Sequence, residues 1–505
     1  MTPLHAQSRT FDLLTASVTD IQAAVASGAL TYEQLVRLYL NRIEAYDKHG
    51  PHLNAVIEIN PRAIEIARAL DEERRSKGLR SPLHGIPIAI KDNIDVADIP
   101  SAGGSLVFAG TYPAQDATVI QRLRQAGAII FLKTNMDELA LDSRGLSSLG
   151  GQILNPYDLK RNPGGSSGGT AVAVNVGFAT LGLATETGFS IRSPASNNAL
   201  VGIAPTRGLV SRAGVIPSSF TQDRVGVHAK SVADAALLLS YLRGFDPDDL
   251  MTVEGLGKLD PKGYSEYLDD RFVGARVGVL RDLFRKGEQF DAGNKLIDKQ
   301  LALLRDHRAA VIDGLSTGID LVSLMPFLRV NGYELRTAFD SYLRRRGPST
   351  PVKTLADLIA TGKYLKGGTQ ETRYQQTMKV GVLDFDAEYL SRLQTQRMVR
   401  QLLVELMDRY RVDALVYPVK SLPAPMIGNS DDGPRDNCIS AVTGLPAIVL
   451  PAGVNEEGLP MAMELLGRPF NEPKLIQLAY AYEQASHARV APKTTPHLSG
   501  EVFSY

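Results

Sequence analysis

One lysine has a sequence setting in which its side chain could act as a base. Lys91 follows the apolar run Pro87–Ile90 and precedes Asp92-Asn93. A lysine at the end of a buried strand loses solvation, which lowers its pKa and makes a neutral amine available near neutral or mildly alkaline pH. The alternative is a structural lysine whose stem packs along the apolar run while its ammonium pairs with Asp92.

Two serines lie in segments that contain glycine. Ser166 belongs to the run Gly164-Gly165-Ser166-Ser167-Gly168-Gly169, and Ser190 follows Thr187-Gly188-Phe189. Successive backbone N–H groups in such a turn can converge on one point, as a developing oxyanion requires. The structural alternatives are a flexible turn for Ser166 and a helix N-cap for Ser190. Each of the three signals is weak by itself, and these residues alone leave the alternatives open.

Several other chemistries lack their sequence signatures. The 8 histidines show no spacing typical of a metal site, and no zinc-protease motif of the H-E-x-x-H type occurs. The glycine-rich run Gly164–Thr170 is not followed by the Lys-Ser/Thr of a phosphate-binding loop. The single cysteine, Cys438, excludes an intramolecular disulfide and a cysteine-based metal site.

Composition indicates a soluble globular protein. Apolar residues make up 44% and charged residues 22% of the 505 residues, and 55 basic residues balance 55 acidic ones. A net charge of zero argues against a dedicated nucleic-acid or anionic-membrane partner. The longest apolar stretch, Gly169–Ala184, is too short and too polar for a membrane span. No secretory signal is recognised at the N-terminus, so a cytoplasmic location is expected.

The elements that must position these residues alternate between strands and helices. Ile86–Ile90 and Ala128–Leu132 are short apolar runs typical of buried strands, and Asp116–Gln125 between them is predicted to be a helix. This alternation predicts an α/β fold whose central sheet is covered on both faces. Residues 320–410 are rich in Leu, Arg, Tyr and Gln, which predicts a mostly helical excursion.

Taken together in chain order, the motifs resemble those of the amidase signature family from about residue 18 to residue 485. The matching segments are Gly85–Pro87 through Lys91–Asn93, Lys133–Met136, Asn155–Tyr157, Gly164–Gly169, Thr187-Gly188 with Ser190–Arg192 and Pro194-Ala195, Gly202 with Pro205–Gly208, Gly444–Ala447, Pro451–Gly453 and Gly458–Pro460.

The resemblance implies a single α/β domain over residues 1–505, with a mixed central sheet of about eleven strands and the helical excursion forming part of the substrate pocket. It also implies a Lys–cis-Ser–Ser triad, in which Lys91 is the base, Ser166 follows a cis peptide bond and Ser190 is the nucleophile. The backbone N–H groups of Thr187, Gly188, Phe189 and Ser190 would hold the oxyanion. Neither a metal nor an organic cofactor is implied.

Within the family, the N-terminal half and the segments Glu472–Leu475 and Ala479–Gln484 are similar to single-domain bacterial amidases, including peptide amidases. The length and the triad positions resemble bacterial urethanases. The implied activity is hydrolysis of C–N bonds in small apolar amides and carbamates by a monomer or homodimer.

Two other functions remain open. One is a glutaminase-type amidotransferase subunit that works in a complex, and the other is a catalytically silent scaffold. Phe189, where the family usually has glycine, and Ser193 fit the first alternative poorly. The intact set of Lys91, Ser166 and Ser190 argues against the second. Glu186, where aspartate is usual, is a further departure from the family pattern.

Overall fold

A computed structural model describes residues 9–348, 350–429 and 437–505. Its strands are β1 (Thr10–Asp12), β2 (Val56–Ile59), β3 (Pro87–Lys91), β4 (Ile129–Thr134), β5 (Leu146–Ser147), β6 (Gly151–Gln152), β7 (Leu181–Glu186), β8 (Val201–Ala204), β9 (Arg224–Ala229), β10 (Arg276–Leu280), β11 (Ala310–Leu315), β12 (Ala414–Pro418), β13 (Ala447–Val454), β14 (Pro460–Leu466) and β15 (Val502–Ser504).

The α-helices are α1 (Val18–Ser27), α2 (Tyr32–Arg42), α3 (Ala63–Lys77), α4 (Thr118–Gln125), α5 (Gly168–Asn175), α6 (Arg192–Asn197), α7 (Val232–Leu242), α8 (Glu288–Asp306), α9 (Leu321–Leu328), α10 (Asn331–Arg346), α11 (Leu355–Ala360), α12 (Thr369–Thr377), α13 (Ala387–Tyr410), α14 (Ile439–Thr443) and α15 (Glu472–Ser486). A π-helical turn, Ile43–Lys48, continues α2, and short 3₁₀ segments occur at Leu106–Phe108, Glu138–Ala140, Leu250–Gly255, Tyr264–Tyr267, Arg281–Leu283 and Leu383–Phe385.

One mixed sheet of 11 strands organises the molecule, in the order β11-β10-β12-β14-β13-β8-β9-β7-β3-β4-β2. The pairs β11–β10, β10–β12, β7–β3 and β3–β4 are parallel, and the others are antiparallel. Every residue of β3, β4 and β7 is buried, which requires helices on both faces of the sheet. The predicted α/β fold with a mixed sheet of about eleven strands is therefore confirmed.

The parallel neighbours β3 and β7 place two functional segments at one edge of the sheet. Ile90 of β3 lies opposite Leu183 of β7, so the carboxyl ends of both strands reach the same edge. Helix α5 precedes β7 and has all eight of its residues buried. Lys91 ends β3, the turn with Ser190 follows β7, and Ser166 lies just before α5.

Residues 320–410 contain α9 to α13. Leu335, Phe339 and Tyr342 of α10 pack into one apolar cluster with Phe108 and Leu139, which belong to loops that follow β3 and β4. This packing brings α10 over the loops at the edge of the sheet where Lys91 ends. The longest helix, α13, has 24 residues with charges distributed along it, and no helix within the described ranges has the length and apolarity needed to cross a bilayer.

Candidate active site

Lys91 is fully buried and its amine faces two hydroxyl groups. Lys91 Nζ lies 2.7 Å from Ser166 Oγ and 2.9 Å from Thr185 Oγ1, and it donates a third hydrogen bond of 3.1 Å to the Thr185 carbonyl. Asn93 Nδ2 also donates to Thr185 Oγ1, at 3.0 Å. The amine is therefore held in one place by neutral groups, and no carboxylate accepts a hydrogen bond from it among the described residues.

Burial decides the charge of this lysine. Desolvation lowers the pKa of Lys91 to about 7, against the more distant attraction of Asp137, Glu186 and Asp223, which raises it. The surface ion pair with Asp92 is not formed, since Asp92 lies instead beside Lys133, with a separation of 3.5 Å between Lys133 Nζ and Asp92 Oδ1. A substantial fraction of Lys91 is thus a neutral amine at neutral pH.

Ser166 is fully buried and follows a cis peptide bond from Gly165, as the resemblance implied. The hydroxyl of the next residue, Ser167, points elsewhere and donates to the Thr185 carbonyl at 3.1 Å. Of the two adjacent serines, only Ser166 contacts the lysine amine.

The glycines before Ser166 permit very close packing around it. A Cβ atom on Gly165 would lie 1.9 Å from Asp137 Oδ2, and one on Gly164 would lie 2.9 Å from Ser193 Oγ. Side chains at these positions would displace the loop, because such separations are far below van der Waals contact. The loop that carries Ser166 thus contacts both the segment after β4 and the start of α6.

Ser190 lies in the turn between β7 and α6, and it is 8% exposed whereas Lys91 and Ser166 are 0% exposed. No hydrogen bond between Ser190 Oγ and Ser166 Oγ occurs in the part of the chain that the structure describes. Catalytic hydrogen bonds are often long or poorly aligned without substrate and tighten in the complex. The geometry therefore brings Lys91 and Ser166 together and leaves Ser190 as the most accessible of the three.

The backbone of this turn presents a row of N–H groups. The carbonyl of Thr187 accepts from Gln222 Nε2 at 2.9 Å, that of Gly188 from Arg192 Nη2 at 2.6 Å, and that of Phe189 from the Ser193 amide at 2.8 Å. Since C=O and N–H point in opposite directions across a trans peptide, each of these bonds also orients the following N–H. Within the described ranges, the backbone N–H groups of residues 187–190 donate no hydrogen bond.

A buried network of ion pairs and hydrogen bonds holds the turn that carries Ser190. Glu186 Oε2 accepts from the Ile191 amide at 3.0 Å, and Glu186 Oε1 pairs with Arg192 and Arg224. Arg192 also pairs with Glu464 at 2.9 Å. Burial would raise the pKa of Glu186, but the two arginines outweigh this effect and lower it. Both carboxylate oxygens of Glu186, which stands where the family usually has aspartate, therefore have hydrogen-bond or ion-pair partners.

A comparison with models of protein families identifies the family of this chain. The model of the family described as Amidase matches residues 34–476. The chain belongs to the amidase family. The coarse class of the predicted activity, hydrolysis of carbon–nitrogen bonds, is therefore confirmed.

Individual relatives of this amidase agree with the family model. The chain is 34% identical to a probable amidase of Arabidopsis thaliana, over 96% of this chain and 93% of the relative. It is 31% identical to a glutamyl-tRNA(Gln) amidotransferase subunit of Carboxydothermus hydrogenoformans, over 93% of this chain and 96% of the relative. Among solved structures, the peptide amidase of Stenotrophomonas maltophilia is similar with a TM-score of 0.86 and 36% identity, over 95% of this chain and 99% of that one.

Phe189 does not require the backbone freedom of the glycine that is usual in the family, because its φ is not in the left-handed region. The side chain is 5% exposed, and the guanidinium of Arg329 lies 5.6 Å from the centre of its ring. The ring is therefore covered by a cation from the helical excursion.

We expect Phe189→Ala to destabilise the fold with little change in substrate ranking. Loss of a buried aromatic ring costs about 3–5 kcal/mol in the free energy of unfolding, which denaturant titration measures. Phe189→Leu, which retains much of the apolar volume, is the matched control and should lose less. A stable alanine variant with a lower ratio of kcat/KM for aryl over small aliphatic substrates would show instead that the ring lines the substrate site.

Several contacts of the site were not predicted from the sequence. Thr185, Gln222 and Asp223 hold the lysine and the turn, and Arg329 covers Phe189. Thr185 lies next to Glu186 at the end of β7, just before the turn with Ser190, so its position in the sequence could have indicated a contact with the site. Gln222 and Arg329 reach the turn only through tertiary structure, and no local pattern marks them. No group of three or more His, Cys, Asp or Glu within the described ranges is arranged to hold a metal ion.

Proposed function

We propose that this amidase is a serine hydrolase that cleaves small amides and carbamates through an acyl-enzyme on Ser190. The observation that carries the proposal is the fully buried Lys91 amine, which lies 2.7 Å from Ser166 Oγ and has a pKa lowered to about 7. A neutral lysine is a competent proton acceptor, and no carboxylate among the described residues accepts a hydrogen bond from this amine.

In the acylation step, Lys91 accepts a proton through Ser166 from Ser190 while Ser190 Oγ attacks the carbonyl carbon of the substrate. The negative charge that develops on the carbonyl oxygen is stabilised by the N–H groups of residues 187–190. Ser166, which regains a proton from Lys91, protonates the leaving nitrogen as the C–N bond breaks. Water then hydrolyses the ester on Ser190 by the same proton relay. The chain supplies the base, the relay hydroxyl, the nucleophile and the N–H groups for the oxyanion.

The helical excursion of residues 320–410 is proposed to form one wall of the substrate pocket. Arg329, which follows α9, supports this assignment: its guanidinium covers Phe189, and its Nη2 lies 3.4 Å from where a Cβ on Gly188 would be. Gly188 is two residues before the proposed nucleophile. The excursion thus contacts the turn on which the acyl group would form.

Linear amides and carbamates share the bond that this mechanism cleaves. A carbamate carries an ester oxygen and an amide nitrogen on one carbonyl, so the same attack by a serine serves both classes. The similarity to solved peptide amidases, one of them in complex with the competitive inhibitor chymostatin, favours acyl groups derived from amino acids or short peptides.

The amidotransferase subunits among the relatives make a glutaminase the second candidate. Their matches extend over nearly the whole chain, but Phe189, where the family usually has glycine, fits this candidate poorly. A glutaminase subunit would release ammonia from free glutamine and would bind partner subunits. The prediction of a monomer or homodimer with only a small-molecule substrate stays a prediction.

A rate screen combined with active-site labelling tests the proposal. Purified protein is assayed with aryl amides, aryl carbamates, short peptide amides and glutamine, and a fluorophosphonate probe is mapped by mass spectrometry. We expect turnover of the first three classes, with labelling confined to Ser190 and activity unchanged by a chelator. Turnover of glutamine alone would favour the second candidate, and neither turnover nor labelling would favour a silent scaffold.

A further inference from the structure

The side chain of Gln222 connects the turn before Ser190 to the helical excursion. It is 1% exposed and lies at the end of the loop that precedes β9. Its Nε2 donates to the Thr187 carbonyl at 2.9 Å, and its Oε1 accepts from the Val330 amide at 2.7 Å. Because a carboxamide offers a donor and an acceptor from one planar group, the two partners also settle which end is nitrogen and which is oxygen.

On the side of the turn, Gln222 orients the peptide between Thr187 and Gly188. The carbonyl of Thr187 points toward Gln222, and the Gly188 N–H therefore points away from it. The neighbouring Asp223 holds the same residue by its side chain, since Thr187 Oγ1 donates to Asp223 Oδ1. Two consecutive residues thus hold both the carbonyl and the hydroxyl of Thr187.

On the side of the excursion, Gln222 holds the junction between α9 and α10. Val330 directly follows Arg329, the residue that covers Phe189. Nearby, Glu334 of α10 accepts hydrogen bonds from the Thr221 amide at 3.1 Å and from Thr221 Oγ1 at 2.7 Å. The segment 219–223 therefore binds the turn on one side and the excursion on the other.

We propose that Gln222 is a positioning residue that aligns the N–H groups of the turn for the oxyanion and couples that alignment to the placement of the excursion. The inference rests on the proposed function, because it presumes that these N–H groups stabilise a tetrahedral oxyanion. Gln222 itself does not touch the reacting atoms. Its effect is to keep the Thr187–Gly188 peptide in the orientation that the transition state needs before substrate arrives.

Two substitutions test this bridge, because both remove the hydrogen bond to the Thr187 carbonyl. Gln222→Glu retains an oxygen for the Val330 amide and loses the donor to the Thr187 carbonyl, whereas Gln222→Met has a similar shape and loses both. We expect kcat to fall by about 10- to 100-fold in both variants, less than the loss expected when an oxyanion donor is itself deleted, with KM changed by less than about threefold. The affinity of a substrate-derived aldehyde, which binds as a tetrahedral adduct, should fall in parallel with kcat/KM.

Gln300 offers a matched control. It is 7% exposed, and its Nε2 donates to the Ala452 carbonyl at 2.8 Å, which joins α8 to β13. Gln300→Met therefore loses the same kind of buried hydrogen bond, and it should lower the midpoint of thermal unfolding without changing kcat or the affinity of the aldehyde.

Three outcomes would overturn the inference. Gln222 variants that fold and keep kcat within about threefold of the wild type would exclude a positioning role. A loss of kcat without a parallel loss of aldehyde affinity would place the effect outside oxyanion stabilisation. Unfolding of Gln222→Glu, Gln222→Met and the shorter Gln222→Asn at the assay temperature, with Gln300→Met intact, would make the residue structural. A wild-type protein without an acyl-enzyme would instead remove the proposed function itself.

Discussion

Replacing Ser190 by alanine is expected to lower kcat by about 10³- to 10⁶-fold, the range expected when a covalent nucleophile is removed. Ser190 is the accessible member of the set, at 8% exposed, and it lies at the end of the row of N–H groups without acceptors in the described ranges. The measurement is steady-state turnover of an aryl amide, together with mass spectrometry for the acyl-enzyme. The variant should fold normally, because the hydroxyl has no hydrogen-bond partner among the described residues.

The two serines after the diglycine provide a matched pair for the same prediction. Ser166→Ala should also be severely impaired, since its hydroxyl contacts Lys91 Nζ and would carry the proton in both of the proposed chemical steps. Ser167→Ala should suffer less, since its hydroxyl donates to the Thr185 carbonyl instead. Near-wild-type turnover of Ser190→Ala would contradict the nucleophile assignment, and greater sensitivity at Ser167 than at Ser166 would move the relay by one residue.

The second large effect concerns the protonation state of Lys91. Below a pH of about 7 the amine carries a proton and cannot accept one from Ser166, and above it the amine is neutral. We therefore expect kcat/KM to rise with pH along a single limb centred near the lowered pKa and to reach a plateau on the alkaline side. The pH profile of kcat/KM for an uncharged aryl amide reports this group in the free enzyme.

Substitutions of Lys91 should remove this limb along with most of the activity. Lys91→Ala deletes the base, and Lys91→Arg retains a nitrogen side chain that stays protonated at every accessible pH, so neither can support the relay. Lys133 serves as the control for these substitutions. It is equally buried, but its amine pairs with Asp92 and donates to the carbonyl of Ile94 instead of contacting Ser166. A Lys91→Ala variant that keeps the acidic limb would assign the titration to another group.

Much of the local structure followed from the sequence because local physical chemistry determines it. The predicted helix at Asp116–Gln125 is α4 (Thr118–Gln125), and the apolar run before Lys91 forms the buried strand β3. Short-range signals of this kind depend on residues a few positions apart, so one segment contains all the information. The ordered motifs also point to Lys91, Ser166 and Ser190, although they say nothing of the contacts between them.

The tertiary structure alone decided how these segments meet. The order of the sheet puts β7 beside β3, although β4, β5 and β6 intervene in the chain, and this adjacency buries Lys91 against Thr185. The depth of that burial sets the pKa of Lys91, which no sequence pattern states. Gln222 contacts Val330 across 108 positions of the chain, and the guanidinium of Arg329 covers Phe189 from the excursion. Such contacts depend on the packing of whole elements, whereas the sequence by itself determined the α/β class, the buried strand before Lys91 and the residues that are proposed to do the chemistry.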